Sequence, residues 1–370
     1  MQRRQYLPAY GKEHMKYIKA DREHVKRMGR HCQIGDTLWM AMSGSGIGLR
    51  FTGRHLEIPV RGGYVAEHGE PDGNYARVAV YVDGIRVLDE MIDTAGKRLV
   101  AVDRETPGTV EVQLVKLSES AMSVIGIEPM AVGDGDRVVP LPPKAHLVEF
   151  IGDSITCGYG VDDEDYTHGF STATEDVTRA YACHTARLLD VDYTLFSASG
   201  FGIISGYTDN PDKRLAEQLI PDYYHGLGFC RDRLPKGLNP TEMEWDFAGL
   251  QPEAVVINLG TNDDSFCQDT LEKQREYMES YERFLMDVRQ CNPQAELFCV
   301  LGIMGQRLCP WMEKACENYR QHTGDLRVHT LRLPEQDGNI GYVANYHPLE
   351  RFHLAAAEAL APFIKKTMNW

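Results

Sequence analysis

Residues 149–160 read EFIGDSITCGYG. The run HLVEFI (146–151) is short, apolar and closed by a glycine, the pattern of a strand buried on both faces. It ends in Gly152-Asp153-Ser154, and the chain then turns through glycines. A serine at such a place is ordinarily a turn former. It becomes a nucleophile only if other segments bring a base and a set of oxyanion donors to the same point. The fold has to deliver those partners.

Downstream, strand and helix patterns alternate. DVTRAYACHTARLL (176–189) has helical spacing and DYTLFSASG (192–200) returns to strand. PEAVVINLG (252–260), ELFCVLGI (296–303) and LRVHTLRL (326–333) read as further strands. They are separated by the charged amphipathic TLEKQREYMESYERFLMDVRQ (270–290) and by CPWMEKACENYRQH (309–322), and HLAAAEALAPFIKKTM (353–368) closes the chain as a helix. This alternation implies a parallel sheet covered on both faces.

Upstream the character changes. TLWMAMS, GIGLRFTG, HLEIPV, ARVAVYVDGIRVL, RLVAV and TVEVQLVKL are β-type runs broken by glycine and proline, and Asp83-Gly84 marks a hairpin. These short strands predict an antiparallel sandwich. The stretch AVGDGDRVVPLPPK (131–144) reads as a linker. The expected division is therefore a β-sandwich over 1–140 and an α/β domain over 141–370.

Net charge is −15. The first 140 residues are balanced, so the acidic excess lies wholly in the α/β part. A polyanionic partner such as nucleic acid needs a positive surface, so a neutral substrate is expected. The N-terminus MQRRQYLPAYGKEHMKYIK has no apolar segment after its arginines, and no stretch is long enough to span a membrane. The nine cysteines lack zinc-type spacing and read as reduced thiols of a cytoplasmic protein. No metal or cofactor is expected, and the oligomeric state is left open.

In open parallel sheets, ligands collect at the carboxyl ends of the strands. Three strands end in Gly152-Asp153-Ser154, Ser199-Gly200-Phe201-Gly202 and Gly260-Thr261-Asn262-Asp263, and Asn345-Tyr346-His347-Pro348 precedes the last helix. Ser154 can attack an acyl carbon and His347 can take its proton. The backbone N–H groups of Ser154 and Gly200 and the amide of Asn262 can receive the oxyanion, with Gly202 as an alternative to Gly200. Asp153 reads as a turn residue bonding nearby N–H groups, and Asp263 or Asp264 as the cap of the following helix. His353, six residues after His347, would lie on another helix face and reads as surface or packing.

GDSIT, SGFG, GTND and the late HP pair resemble the four blocks of the SGNH (GDSL-type) hydrolases, in the same order, on Ser154, Gly200, Asn262 and His347. With the β domain in front, the chain is similar to carbohydrate esterase family 2 over roughly residues 25–368. The resemblance implies a jelly-roll domain followed by a flavodoxin-like SGNH domain, and removal of O-acetyl groups from sugars through an acetyl-enzyme. Xylan- or mannan-type oligosaccharides are the expected substrates.

One departure concerns the acid found three residues before the histidine in many SGNH enzymes, which is Ala344 here. A backbone carbonyl or Asn345 could hold His347 instead, or Asp337 or Glu335 could swing in. Tyr346 and Trp311 are candidate sugar platforms, and the long stretch 205–250 is expected to wall the pocket. A thioesterase or lipase of the same fold, and a carbohydrate-binding protein without catalysis, are the alternatives.

Overall fold

The computed structural model describes residues 15–370, so most of the N-terminal segment read for a signal lies outside the described residues. The chain folds as an antiparallel β domain followed by an α/β domain.

The β domain is one hydrogen-bonded sheet of eleven strands built on two long partners, Gly46–Gly62 and Gly96–Lys116. Sequence reading cut each of these at its glycines. The structure instead runs both strands through, with Gly53 opposite Gly108 and a register shift between Gly53 and His55. Such an irregularity bends and twists a strand, and here it lets the sheet wrap a core of Ile47, Leu49, Phe51, Leu56, Ile58, Val112 and Leu114. Asp83 and Gly84 both have positive φ and join Ala76–Val82 to Ile85–Ile92 by the expected two-residue turn. Half of the stretch read as a linker is sheet. Met130–Gly133 and Arg137–Pro140 both pair with Gly46–Gly62, and Asp136 accepts the N–H groups of Gly133, Arg54 and His55.

The α/β domain carries five parallel strands in the spatial order Asp192–Ser197, Leu147–Gly152, Ala254–Asn258, Glu296–Ile303, Val328–Glu335. This 2-1-3-4-5 order is flavodoxin-like and reverses between Leu147–Gly152 and Ala254–Asn258, where a ligand crevice forms. Alternate residues face opposite sides. Ile151, Val255, Ile257, Leu297 and Cys299 pack with Tyr277, Tyr281, Phe284 and Met312 of the helices Leu271–Cys291 and Cys309–Thr323. Val148, Phe150, Val256, Phe298 and Val300 pack with Tyr181, Ala182, Ala356 and Leu360 of the helices Tyr181–Leu189 and Glu350–Met368.

The two parts are locked together by polar and apolar contacts. Arg30 is fully buried and donates from Nη1 to Gly226 O (2.6 Å) and from Nη2 to Glu149 Oε1 (3.2 Å). The other oxygen of Glu149 accepts from the Tyr224 hydroxyl (2.6 Å). Much of 205–250 serves this joint. Leu227, Cys230 and Leu234 pack with Trp39, Ala41 and Val124 of the β domain, and Asp232 accepts from Val65 N and Val124 N.

Candidate active site

Ser154 opens the short helix Ser154–Cys157 directly after the strand Leu147–Gly152. The turn is tight. A Cβ on Gly152 would meet Thr156 Oγ1 at 2.0 Å, so only glycine fits there. Asp153 caps the helix, its Oδ1 accepting from Ile155 N at 3.0 Å. It therefore has the structural role read from the sequence. Burial pushes its carboxyl up to about 7.

The late segment reaches the same rim. Ser154 Oγ lies 2.8 Å from His347 Nε2. His347 Nδ1 lies 3.1 Å from the carbonyl oxygen of Asn345. A carbonyl can only accept, so Nδ1 carries the proton and Nε2 is free to accept from the serine hydroxyl. Of the alternatives for the missing carboxylate, the backbone carbonyl is the one present. Asp337 binds Asn339 instead, and Glu335 is exposed at the end of its strand.

The carbonyl is aimed by an unusual backbone. Asn345 (φ 53°) and Tyr346 (φ 61°) are both left-handed, a conformation that costs energy outside glycine. The loop after Ser154 holds them there, with Ala344 N donating to Asp163 O (2.8 Å) and Asn345 N to Tyr166 O (3.2 Å). Ala344 is fully buried, and its Cβ faces Gly160 so closely that a Cβ on Gly160 would meet it at 2.7 Å.

Sequence reasoning passed over Tyr159. Its ring stacks on His347 at 3.9 Å and 14°, and Asn345 Nδ2 reaches its hydroxyl at 3.4 Å. The signal was present in CGYG, where a tyrosine sits between two positive-φ glycines, Gly158 and Gly160. This apolar packing buries His347 and pushes its imidazole down to about 4, which keeps it neutral. His353 is a packing residue, buried, with Nδ1 accepting from Tyr181 N at 3.2 Å.

Gly200 (φ +81°) ends the second strand's loop, and a Cβ there would meet nothing closer than Gln218 Oε1 at 3.8 Å. No hydrogen bond is made by the N–H of Gly200 or of Ser154 among the described residues. Asn262 is buried beside them, but its amide is engaged. Nδ2 lies 2.7 Å from Phe201 O and 3.3 Å from Asp153 Oδ2. The helix it belongs to, Thr261–Cys267, has no side-chain cap. Asp263 and Asp264 do not serve that purpose, since Asp263 instead accepts the N–H groups of Ile203, Ile204 and Ser205. This braces the loop after Gly200, and burial pushes Asp263 up to about 6.

Tyr346 is exposed and forms a cluster with Tyr166 (5.0 Å) and Tyr342 (5.5 Å) beside His347. Trp311 is placed differently. It is half-buried against the core under the helix Cys309–Thr323, and no hydrogen bond or ring contact joins it to the site residues among those described. Two clusters, Glu119/Cys157/Glu175 and His225/Asp287/Cys291, have metal-ligand composition, and neither includes Ser154 or His347.

The description of the GDSL-like lipase/acylhydrolase family matches residues 150–355, more than half of the chain. That of the carbohydrate esterase 2 N-terminal domain matches residues 27–142. The chain is similar to the cellulase/esterase CelE of Acetivibrio thermocellus, at 29% identity over 336 residues, 89% of this chain and 38% of that protein. It is similar to an acetylxylan esterase/glucomannan deacetylase of Cellvibrio japonicus, at 23% identity over 362 residues, 95% and 91% of the two chains. Among solved structures, a family two carbohydrate esterase from Clostridium thermocellum in complex with cellohexaose superposes with a TM-score of 0.78 at 27% identity, covering 94% of this chain and 99% of that one. The chain thus spans well under half the length of CelE and nearly all of the other two. It belongs to the GDSL-like lipase/acylhydrolase family and carries, ahead of that domain, the N-terminal domain of the family 2 carbohydrate esterases.

Proposed function

We propose that the protein is a serine esterase that removes O-acetyl groups from xylan- or mannan-type oligosaccharides. The observation that carries this reading is the 2.8 Å contact between Ser154 Oγ and the accepting nitrogen of a buried, neutral His347. Ser154 Oγ attacks the acetyl carbonyl as its proton passes to Nε2. The oxyanion is received by the N–H groups of Ser154 and Gly200, and by Asn262 if it releases its 3.3 Å contact to Asp153. Nε2 returns the proton to the departing sugar oxygen, leaving an acetyl-enzyme. Water then attacks, His347 takes its proton, and acetate leaves as Ser154 is reprotonated.

A sugar substrate is supported by the names of the relatives and by the exposed rings of Tyr346 and Tyr166, which can pack on the apolar face of a pyranose. NMR of acetylated xylo- and manno-oligosaccharides tests the reading and gives the position cleaved. A series of p-nitrophenyl esters tests it further. Activity falling from acetyl to butyryl supports a deacetylase, and a preference for long chains contradicts it. A cytoplasmic location is supported by nine cysteines that are all free thiols. Fractionation of the native host checks it.

A further inference from the structure

The β domain reaches the reaction site through a buried pair of carboxyl groups. Glu119, which follows the strand Gly96–Lys116, and Glu175, which precedes the turn at Val177–Arg179, are both buried. Glu175 Oε2 accepts from Glu119 N at 2.9 Å. Glu119 Oε2 in turn accepts from Ser199 N at 3.3 Å. Ser199 is the residue whose peptide leads into Gly200, so this bond fixes the plane that precedes the Gly200 N–H. Arg77 of the β domain adds a second tie, from Nη1 to Glu175 O at 3.1 Å.

A carboxylate oxygen of each glutamate lies within 4.8 Å of one of the other, close enough for each to disfavour ionisation of its neighbour. Burial pushes both upward. The titratable groups packed around the pair are Lys116, Cys157, Tyr159 and Arg77, with Cys230 next to Lys116 and Asp153 next to Cys157. Lys116 is tied down by its own bonds, donating to Ser118 O and Glu119 O at 2.7 Å each.

We propose that Glu119 is a positioning residue for the hydrolytic reaction: from the β domain, backed by Glu175, it orients the Ser199–Gly200 backbone so that the Gly200 N–H faces the developing oxyanion. The proposal rests on the esterase reading and makes the β domain part of the catalytic apparatus. It also explains why a carboxyl pair is kept in a buried joint where apolar side chains would pack at less cost.

Two variants separate reach from charge. Glu119→Asp keeps the carboxylate but withdraws it by about 1.5 Å, one carbon–carbon bond. Glu119→Gln keeps the reach and an accepting oxygen. Kinetics on an acetyl ester, with thermal melting to show that each variant is folded, should give a kcat about tenfold to a hundredfold lower for Glu119→Asp with KM unchanged. Glu119→Gln should stay within about threefold of wild type. The proposal is overturned if Glu119→Asp keeps wild-type kcat, if its loss comes as an equal rise in KM, or if Glu119→Gln falls as far. Should Glu119→Asp not fold, a more than tenfold loss in Glu119→Gln overturns it alone. A wild-type protein without esterase activity would instead remove the underlying reading.

Discussion

The carbonyl oxygen of Asn345 stands 3.1 Å from Nδ1 of His347, where a carboxylate would stand in a triad. A neutral acceptor fixes the tautomer and the ring direction but adds no charge to stabilise the imidazolium. The positioning depends on backbone conformation, which makes it sensitive to which residue holds φ = 53°.

Substitution at 345 tests that dependence. Glycine tolerates the left-handed region and a β-branched residue does not. Asn345→Gly should keep kcat within about threefold, the lost side-chain contact to Tyr159 being long and weak. Asn345→Val should lower kcat by at least about tenfold, because about 1–2 kcal/mol of strain moves the carbonyl. Equal kcat for the two variants contradicts the account.

The pH profile tests the burial of His347. A histidine acts as a base only when neutral, and burial holds the imidazole of His347 down at about 4. The acid limb of kcat/KM assigned to His347 should therefore fall near pH 4 rather than 6.5. The stability sign is the same. The unfolded chain takes up a proton near pH 6.5 that the folded site refuses, so this contribution is complete above 6.5 and is lost as pH falls toward 4. A midpoint near 6.5 in kcat/KM contradicts the account.

Gly200→Ala probes the proposed oxyanion donor without crowding. The nearest atom to the added methyl is 3.8 Å away, so the effect comes from φ +81° alone. The strain of about 1–2 kcal/mol should turn the N–H and reduce kcat by about tenfold or more. The melting temperature should move by only a few degrees. Full kcat in the alanine variant removes Gly200 from the oxyanion site.

Arg30→Met tests the joint between the domains. Among the described residues, it leaves the buried Glu149 with only the Tyr224 hydroxyl as a partner. Removing one member of a buried ion pair costs about 3–5 kcal/mol, and the urea midpoint should fall accordingly. Adding Glu149→Gln should recover part of that loss. An unchanged midpoint in the single variant contradicts this view of the joint.

The strand ends of the α/β domain were legible because buried parallel strands are apolar throughout and stop at Gly-rich turns. The order Ser154, Gly200, Asn262, His347 followed from those ends. The long strands of the β domain were not legible, because Gly53 and Gly108 look like turns and are paired residues within a bend. The support of His347 by a carbonyl was left open, since left-handed φ at Asn345 and Tyr346 leaves no compositional mark. The Glu119–Glu175 pair was missed for another reason. It spans the two domains, and no spacing within either one announces it.

The central claim is that Ser154 is the nucleophile served by His347, and acetate release followed by proton NMR tests it most directly. Wild-type protein should liberate acetate from acetylated oligosaccharides, and Ser154→Ala should be slower by at least about a thousandfold while remaining folded. Release at the wild-type rate from Ser154→Ala would contradict the account.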